Sequence, residues 1–344
     1  MSFNIALQFE DGVSRIVPCE PTELVADAAY RARINIPLDC RDGACGTCKC
    51  HCESGTYSMG DYIEDALGDD EAANGYVLTC QMRPTSDCVV RVPASSAACK
   101  TEVGAHGGKL TKIERGSATT VSFSVQAERP LAFLPGQYVN LMVPGSKQTR
   151  SYSFSSAPNQ TDLAFLIRDV PDGLMSTYMR HKAQPDDFMM FTGPYGSFYL
   201  RAAVRPILML AGGTGLAPFL SMLLWLKDNP TPQPIRLAYG VNTNDDLVEL
   251  DTLSAMKASL PDFDFFTCVV DRDSGHPKLG YVTQHLSAAD LHDGNVDVYV
   301  CGPPPMVEGV RRWMTGVGVT PKNFHFEKFS SASDAVVSEV VATP

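Results

Sequence analysis

No run of apolar residues in this 344-residue sequence approaches the ~18 that a membrane-spanning helix needs. The opening stretch, MSFNIALQFEDG, lacks a basic n-region and a small-residue cleavage site, so a secretory leader is not expected. Positive charge is also short. The formal net charge is −11, which argues against nucleic acid or an anionic membrane as a partner. The eleven cysteines are an odd number and cannot all pair, so reduced thiols in a cytoplasmic setting are expected rather than a disulfide framework. What remains is an ordinary globular composition, 44% hydrophobic and 19% charged, read as a monomer of roughly two or three domains.

The acidity is uneven. Residues 1–100 hold 15 acidic and 8 basic side chains, so this third of the chain carries most of the excess. Plain solubility explains that imbalance, and an acidic docking face is the alternative.

Against these absences stands one crowded stretch. Asp39 to Cys52 reads DCRDGACGTCKCHC and holds five cysteines, three of them spaced C-x4-C-x2-C: Cys40, Cys45 and Cys48. Cys80 follows in a strand-like run, YVLTC. That spacing is the plant-type [2Fe–2S] ligand pattern, in which four thiolates hold two irons. Gly43, Ala44, Gly46 and Thr47 are small enough for the backbone to wrap a cluster and aim N–H groups at its sulfurs. A zinc knuckle or a disulfide knot is the alternative, but zinc ribbons use two CxxC pairs or a His pair and only one CxxC is present. Cys50 and Cys52 alternate with polar residues on a strand and read as small buried hydrophobes, as do Cys19, Cys88, Cys99 and Cys268.

Around this loop the pattern is mixed. NIALQF and VSRIV meet at Asp11-Gly12, a hairpin signal. Thr22 is expected to cap a helix over TELVADAAYRAR, with Glu23 and Asp27 near its positive end. Strand candidates KCHCESGTY, YVLTC and CVVRVP follow, the first two separated by an acidic, helix-like stretch from Tyr62 to Ala73. Ala94 to Gly108 is poor in large apolar residues and reads as a linker.

From Lys109 to about Tyr199 short apolar runs recur between Pro-Gly and Gly-Pro turns, which is sandwich or barrel behaviour. Arg150-Ser151-Tyr152-Ser153 sets an arginine, an aromatic and hydroxyls on one strand, a combination suited to a phosphate and a planar ring. Gly173-Leu174-Met175-Ser176 opens a short helix whose free N–H groups favour an anion. Each motif alone is common. Beyond Arg205, strands and helices alternate, beginning with the fully apolar PILMLA. Gly212-Gly213-Thr214-Gly215 then precedes a helix, as a pyrophosphate turn would. It is not GxGxxG, and alone it reads equally well as a tight turn.

Taken together, RSYS (150–153), GLMS (173–176), GGTGLAP (212–218), Cys301-Gly302-Pro303 and Glu327-Lys328-Phe329 occur in the order of ferredoxin-NAD(P)+ reductase-like flavoproteins. With the N-terminal cysteine loop, the chain resembles the reductase component of aromatic-ring-hydroxylating dioxygenases, the benzoate, toluate and anthranilate type, from residue 3 to 329. The resemblance implies an α+β multidomain fold: a β-grasp ferredoxin over 1–96, a linker over 97–107, an antiparallel six-stranded FAD-binding β-barrel over 108–202, and a parallel-sheet α/β NAD-binding domain over 203–329. A tail follows over 330–344, expected to be disordered or weakly structured.

It further implies metal ligands Cys40, Cys45, Cys48 and Cys80. Arg150, Ser151, Tyr152, Ser153, Ile167 and Arg168 would hold FAD, with Gly173, Met175 and Ser176 at its pyrophosphate. Gly212, Gly213, Thr214, Gly215 and Pro218, with Cys301, Gly302 and Pro303, would take the nicotinamide dinucleotide, and Phe329 would cover the flavin. Ser153, Cys301, Glu327 and Phe329 would serve hydride transfer. VNTNDD (241–246) holds two Asp and no base, which favours NADH over NADPH.

The implied reaction carries electrons from NADH through FAD and the cluster to a Rieske-type terminal oxygenase acting on benzoate- or anthranilate-type acids. A cluster near about −400 mV would feed a Rieske centre at about −150 mV or above, roughly four decades downhill at ~59 mV each. The reductase of a phenol- or methane-type monooxygenase shares this domain order. A non-catalytic ferredoxin-like carrier or redox sensor is the alternative of another class.

Overall fold

The computed structural model describes residues 2–100 and 103–329, so the tail expected over 330–344 lies outside the described residues. These fall into two compact units, 2–104 with 193–197 and 105–192 with 198–329.

In the first unit, strands β1 (Phe3–Phe9) and β2 (Ser14–Cys19) form the hairpin expected at Asp11-Gly12, where Gly12 adopts φ +78°. Helix α1 spans Val25–Arg31, three residues beyond the expected start. Thr22 does not cap it: Glu23 N–H is turned back to the Glu20 carbonyl, and Leu24 stands at the N-cap with no side-chain bond. After the cysteine loop come β3 (Lys49–Ser54), β4 (Tyr57–Met59), α2 (Asp69–Ala73), β5 (Tyr76–Leu78), β6 (Met82–Pro84) and β7 (Cys88–Val92). The helix expected over 62–73 is thus confined to its last five residues. The main sheet runs β2-β1-β7-β3-β5, with β1 and β7 parallel, and β4 pairs with β6. Hydrophobic alternation on β1, β3 and β7 sends Ile5, Leu7, Cys50, Cys52, Val90 and Val92 inward, which makes Cys50 and Cys52 packing residues as expected. Cys80 lies in the turn after β5 rather than on the strand.

The second unit begins with β8 (Gly104–Ser117), four residues before the expected boundary at 108. β9 (Thr120–Leu131), β10 (Tyr138–Met142), β11 (Thr149–Ser153), β12 (Gln160–Arg168), α3 (Leu174–His181) and β13 (Phe188–Tyr195) follow. The six strands order as β11-β10-β13-β8-β9-β12, and a bridge between Phe154 and Phe165 joins the two end strands into a closed barrel. Phe123, Phe154 and Phe165 stack within it, at 0–2% exposure.

Beyond it, β14 (Ile207–Gly212), α4 (Leu216–Asp228), β15 (Ile235–Val241), α5 (Leu250–Ser259), β16 (Phe263–Val269), β17 (Asp297–Gly302), α6 (Pro304–Val317) and β18 (Asn323–Lys328) build a five-stranded parallel sheet, order β16-β15-β14-β17-β18. The edge strand β18, NFHFEK, is partly exposed along its whole length, and Phe324 and Phe326 alternate with polar residues as a half-buried strand does. No described helix is long and apolar enough to cross a membrane.

Candidate functional site

The cysteine loop turns tightly because three of its residues take left-handed backbone: Arg41 (φ 65°), Gly43 (φ 83°) and Gly46 (φ 71°). At Gly43 a β-carbon would sit 2.9 Å from the Tyr62 Cα, so no larger residue fits. The loop brings its thiols together. Cys40 neighbours both Cys45 and Cys80, and Cys48 neighbours Cys80, all within hydrogen-bond reach. Cys45 N–H donates to Cys40 Sγ at 3.3 Å, and Thr47 N–H points at Cys45 Sγ at 3.5 Å. Thr79 N–H and hydroxyl both donate to the Cys48 carbonyl (3.2 and 3.3 Å), which ties the Cys80 turn to the CxxC. All eleven cysteines are free thiols. Among the described residues no three Cys, His, Asp or Glu side chains are arranged around a single metal ion, and the four thiols are linked in neighbouring pairs. Four soft sulfur donors, no histidine, and N–H groups aimed at sulfur fit a two-iron cluster.

On β11, strand alternation puts Arg150 and Tyr152 on one face and Ser151 and Ser153 on the other. Arg150 donates to the Thr149 carbonyl (2.8 Å) and Gln148 Oε1 (3.0 Å), and Ser151 to Asn140 Oδ1 (2.7 Å). Tyr152 packs against the barrel core, and burial pushes its phenol pKa up. Ile167 is buried in that core, and Arg168 is exposed at the end of β12.

The GLMS motif opens α3, as expected. Met175 and Ser176 are buried, and Ser176 Oγ accepts from Val170 N–H (2.9 Å), so these side chains hold the β12–α3 connection. Only the first-turn amides of α3, which have no intrahelical acceptor, are free to meet an anion.

At the sheet's carboxyl ends two glycine turns interlock. A β-carbon on Gly212 would meet Met306 Sδ at 2.5 Å, and one on Gly302 would meet the Gly212 Cα at 3.2 Å. Gly213 takes φ +55° and faces open space, while Pro218 is buried in the first turn of α4. Thr214 is partly buried between these glycines, in the short turn that leads into α4. Pro303 sets the N-cap of α6.

One polar contact between barrel and sheet gathers Ser153, Cys301 and Glu327. Cys301 and Glu327 are register partners on β17 and β18. Ser153 Oγ donates to Glu327 Oε2 at 3.4 Å, and Cys301 Sγ lies 4.0 Å from the same oxygen. Cys301 is fully buried, so burial first and then the Glu327 charge hold its thiol pKa well up. Phe329 N–H donates to the Gly302 carbonyl (2.9 Å), and its ring packs against the sheet's core.

In the 241–246 segment one of the two Asp is already engaged. Asp246 is not a free acceptor for a ribose: Thr243 N–H and hydroxyl donate to one oxygen (3.0 and 2.8 Å), and Thr119 hydroxyl to the other. Burial opposes the charge, but the Thr119 and Thr243 bonds prevail and hold its pKa below the usual carboxylate range. Thr119 was not legible as a site residue, because it sits in an unremarkable β8–β9 turn. Asp271 N–H donates to the Asn242 carbonyl (2.9 Å), which adds a neighbouring loop with Asp271, Arg272 and Asp273 to this end of the sheet.

Three family models match in the order of these sites: a 2Fe-2S iron-sulfur cluster binding domain over residues 8–85, an oxidoreductase FAD-binding domain over 108–199, and an oxidoreductase NAD-binding domain over 209–312. The toluate 1,2-dioxygenase electron transfer component of Pseudomonas putida is 51% identical over 336 residues, 97% of this chain and 100% of that protein. The anthranilate 1,2-dioxygenase electron transfer component of Acinetobacter baylyi is 37% identical, over 97% and 99%. Among solved structures, the ferredoxin reductase in carbazole 1,9a-dioxygenase shares the fold at TM-score 0.66 and 22% identity, covering 96% of this chain and 99% of that one.

Proposed function

The chain belongs to the electron transfer components of toluate- and anthranilate-type 1,2-dioxygenases, and on that footing we propose that its acceptor is the Rieske-type terminal oxygenase of a system hydroxylating benzoate- or anthranilate-like acids. When bound, FAD takes the two electrons of a hydride from NADH and the [2Fe–2S] cluster passes them on singly. The protein works as a monomer in the cytoplasm, without membrane or nucleic acid, a reading supported by its acidic charge of −11.

The residues have these roles. Cys40, Cys45, Cys48 and Cys80 hold the irons, with the amides of Cys45 and Thr47 steadying the sulfur charge. Arg150, Ser151, Tyr152, Ile167 and Arg168 line the flavin, and the α3 amides of Leu174, Met175 and Ser176, with Gly173 as their N-cap, take its diphosphate. Gly212 to Gly215, Pro218, Gly302 and Pro303 let the dinucleotide backbone approach. Ser153, Cys301 and Glu327 fix the reacting rings. Glu327 accepts from Ser153 and stores no mobile thiol proton from Cys301, whose pKa is too high to release it near neutrality. Phe329 screens the site from water. The functional modules are assigned as 1–96, 108–202 and 203–329, with 97–107 as the linker.

The observation that carries this reading is the junction of Ser153 from the barrel with Cys301 and Glu327 from the sheet. That is where a flavin and a nicotinamide held by the two folds would have to meet. The test is anaerobic addition of NADH to the purified protein: flavin bands and the [2Fe–2S] envelope should bleach together. Protein without flavin, or flavin that NADH leaves oxidised, overturns the reading.

A further inference from the structure

We propose that Thr119 and Asp246 form a positioning contact that fixes where NADH docks relative to FAD. The proposal rests on the reading above and concerns a contact between the β8–β9 turn and the 241–246 segment.

Asp246 commits one carboxylate oxygen to its own loop, through Thr243, and the other to the barrel, through the Thr119 hydroxyl. Its carbonyl accepts from the buried Tyr239 hydroxyl at 3.1 Å, which anchors the loop to β15. One side chain thus sets both the shape of the β15 loop and its attachment. In open parallel sheets ligands bind beyond the carboxyl ends of the strands, so this loop borders the adenosine half of the dinucleotide.

Thr119 is bonded on its other side as well. Its carbonyl accepts from Asp169 N–H at 2.7 Å, and Asp169 pairs with Arg180 in the last turn of α3. Helix α3 is the one whose first-turn amides take the FAD diphosphate. Arg168, among the flavin-lining residues, also acts electrostatically on Asp246. A short chain of bonds, Asp246–Thr119–Asp169–Arg180, therefore joins the frame of one nucleotide site to the frame of the other. The Thr119 hydroxyl donates to an ionised acceptor, the stronger class of hydrogen bond. Loss of that bond leaves the β15 loop free to drift while both cofactor sites remain built.

The test uses the full-length protein with FAD and cluster bound. Thr119→Val, Thr119→Ser, Asp246→Ala and the Thr119→Val/Asp246→Ala double variant are compared. Readouts are steady-state reduction of ferricyanide by NADH, anaerobic flavin reduction in stopped flow, and NAD+ affinity by calorimetric titration. Amide exchange over 242–247 adds a readout independent of turnover. Thr119→Val should raise the NADH KM and the NAD+ Kd about tenfold, speed exchange over 242–247, and keep flavin content and cluster absorbance. Thr119→Ser should restore wild-type values, and the double variant should be no worse than Asp246→Ala. Should Asp246→Ala fail to fold, the Val and Ser variants at Thr119 decide alone. Unchanged KM and exchange in Thr119→Val, equal impairment in Thr119→Ser, loss of FAD, or multiplying effects in the double variant each overturn the proposal. Failure of the wild-type flavin to be reduced by NADH would instead overturn the function itself.

Discussion

The backbone of Cys301 occupies the space that a side chain on Gly215 would need. A β-carbon there would lie 2.7 Å from the Cys301 carbonyl carbon and 3.1 Å from the Gly302 nitrogen. The two glycine turns proposed to receive the dinucleotide are thereby locked into one piece.

Gly215→Ala should therefore push the turns apart. The expected cost is about 1–3 kcal/mol of stability, together with loss of most NAD+ affinity, measured by thermal unfolding and calorimetry. Gly213 is the control, since its position meets no atom within 4 Å and only its φ of +55° is unfavourable. Gly213→Asn, a residue that tolerates left-handed backbone, should keep the fold and cost well under half as much. Equal damage at both positions would show that the Gly215–Cys301 contact is not what constrains the turns.

Glu327 and Ser153 give the second prediction. Replacing Glu327 by Gln keeps the size and the acceptor oxygen but removes the charge. Ser153→Ala removes the donor that orients it. Both variants should bind FAD and NAD+ as the wild type does while flavin reduction in stopped flow slows by about ten- to a hundredfold. Loss of FAD in either variant would make the contact a structural one.

How much of this was visible beforehand depended on distance along the chain. The 2Fe-2S domain was legible because its loop thiols crowd within a few residues and spacing alone carries the chemistry. The α/β sheet followed from period and turn signals, which left the middle region open between sandwich and barrel until the resemblance supplied the barrel. The Ser153–Glu327 bond spans 174 residues and entered only through family resemblance. The Thr119–Asp246 bond spans 127 residues, and neither partner stands out by type. Local misreadings had local causes. Thr22 has the right chemistry for a helix cap, but the Glu23–Glu20 turn displaces the helix start. The helix expected from Tyr62 to Ala73 forms only over Asp69–Ala73.

The proposed roles divide the cysteines into ligands and packing. Cys80→Ser should abolish the [2Fe–2S] absorbance while NADH still reduces the flavin, followed with a two-electron acceptor. Cys50 is 2% exposed and fully desolvated, which holds its thiol pKa well up and leaves it inert. Cys50→Ala should keep the cluster spectrum at a cost of about 1–2 kcal/mol in stability. A cluster lost in Cys50→Ala with the fold intact would count Cys50 among the ligands.

The choice between NADH and NADPH is expected to draw on the loop after β16 as well as on the β15 loop. Because Asp246 is engaged by Thr119 and Thr243, the carboxylates left to meet a ribose 2′ substituent are the exposed Asp245 and those of the neighbouring loop. Asp271 starts the loop after β16 and is held against Asn242, with Arg272 next in sequence and exposed. Arg272 alone would welcome a 2′-phosphate, so the adjoining Asp271 and Asp273 charges are what repel it. Asp271 Oδ1 also accepts from Asp273 N–H at 3.0 Å, a bond that an asparagine oxygen can keep. Asp271→Asn should accordingly leave the loop and the NADH kcat/KM nearly unchanged while raising kcat/KM for NADPH by about tenfold, and high salt should shrink the difference between the two proteins. If NADPH gained nothing in this variant, the discrimination would have to come from the shape of the β15 loop and not from charge at the end of β16.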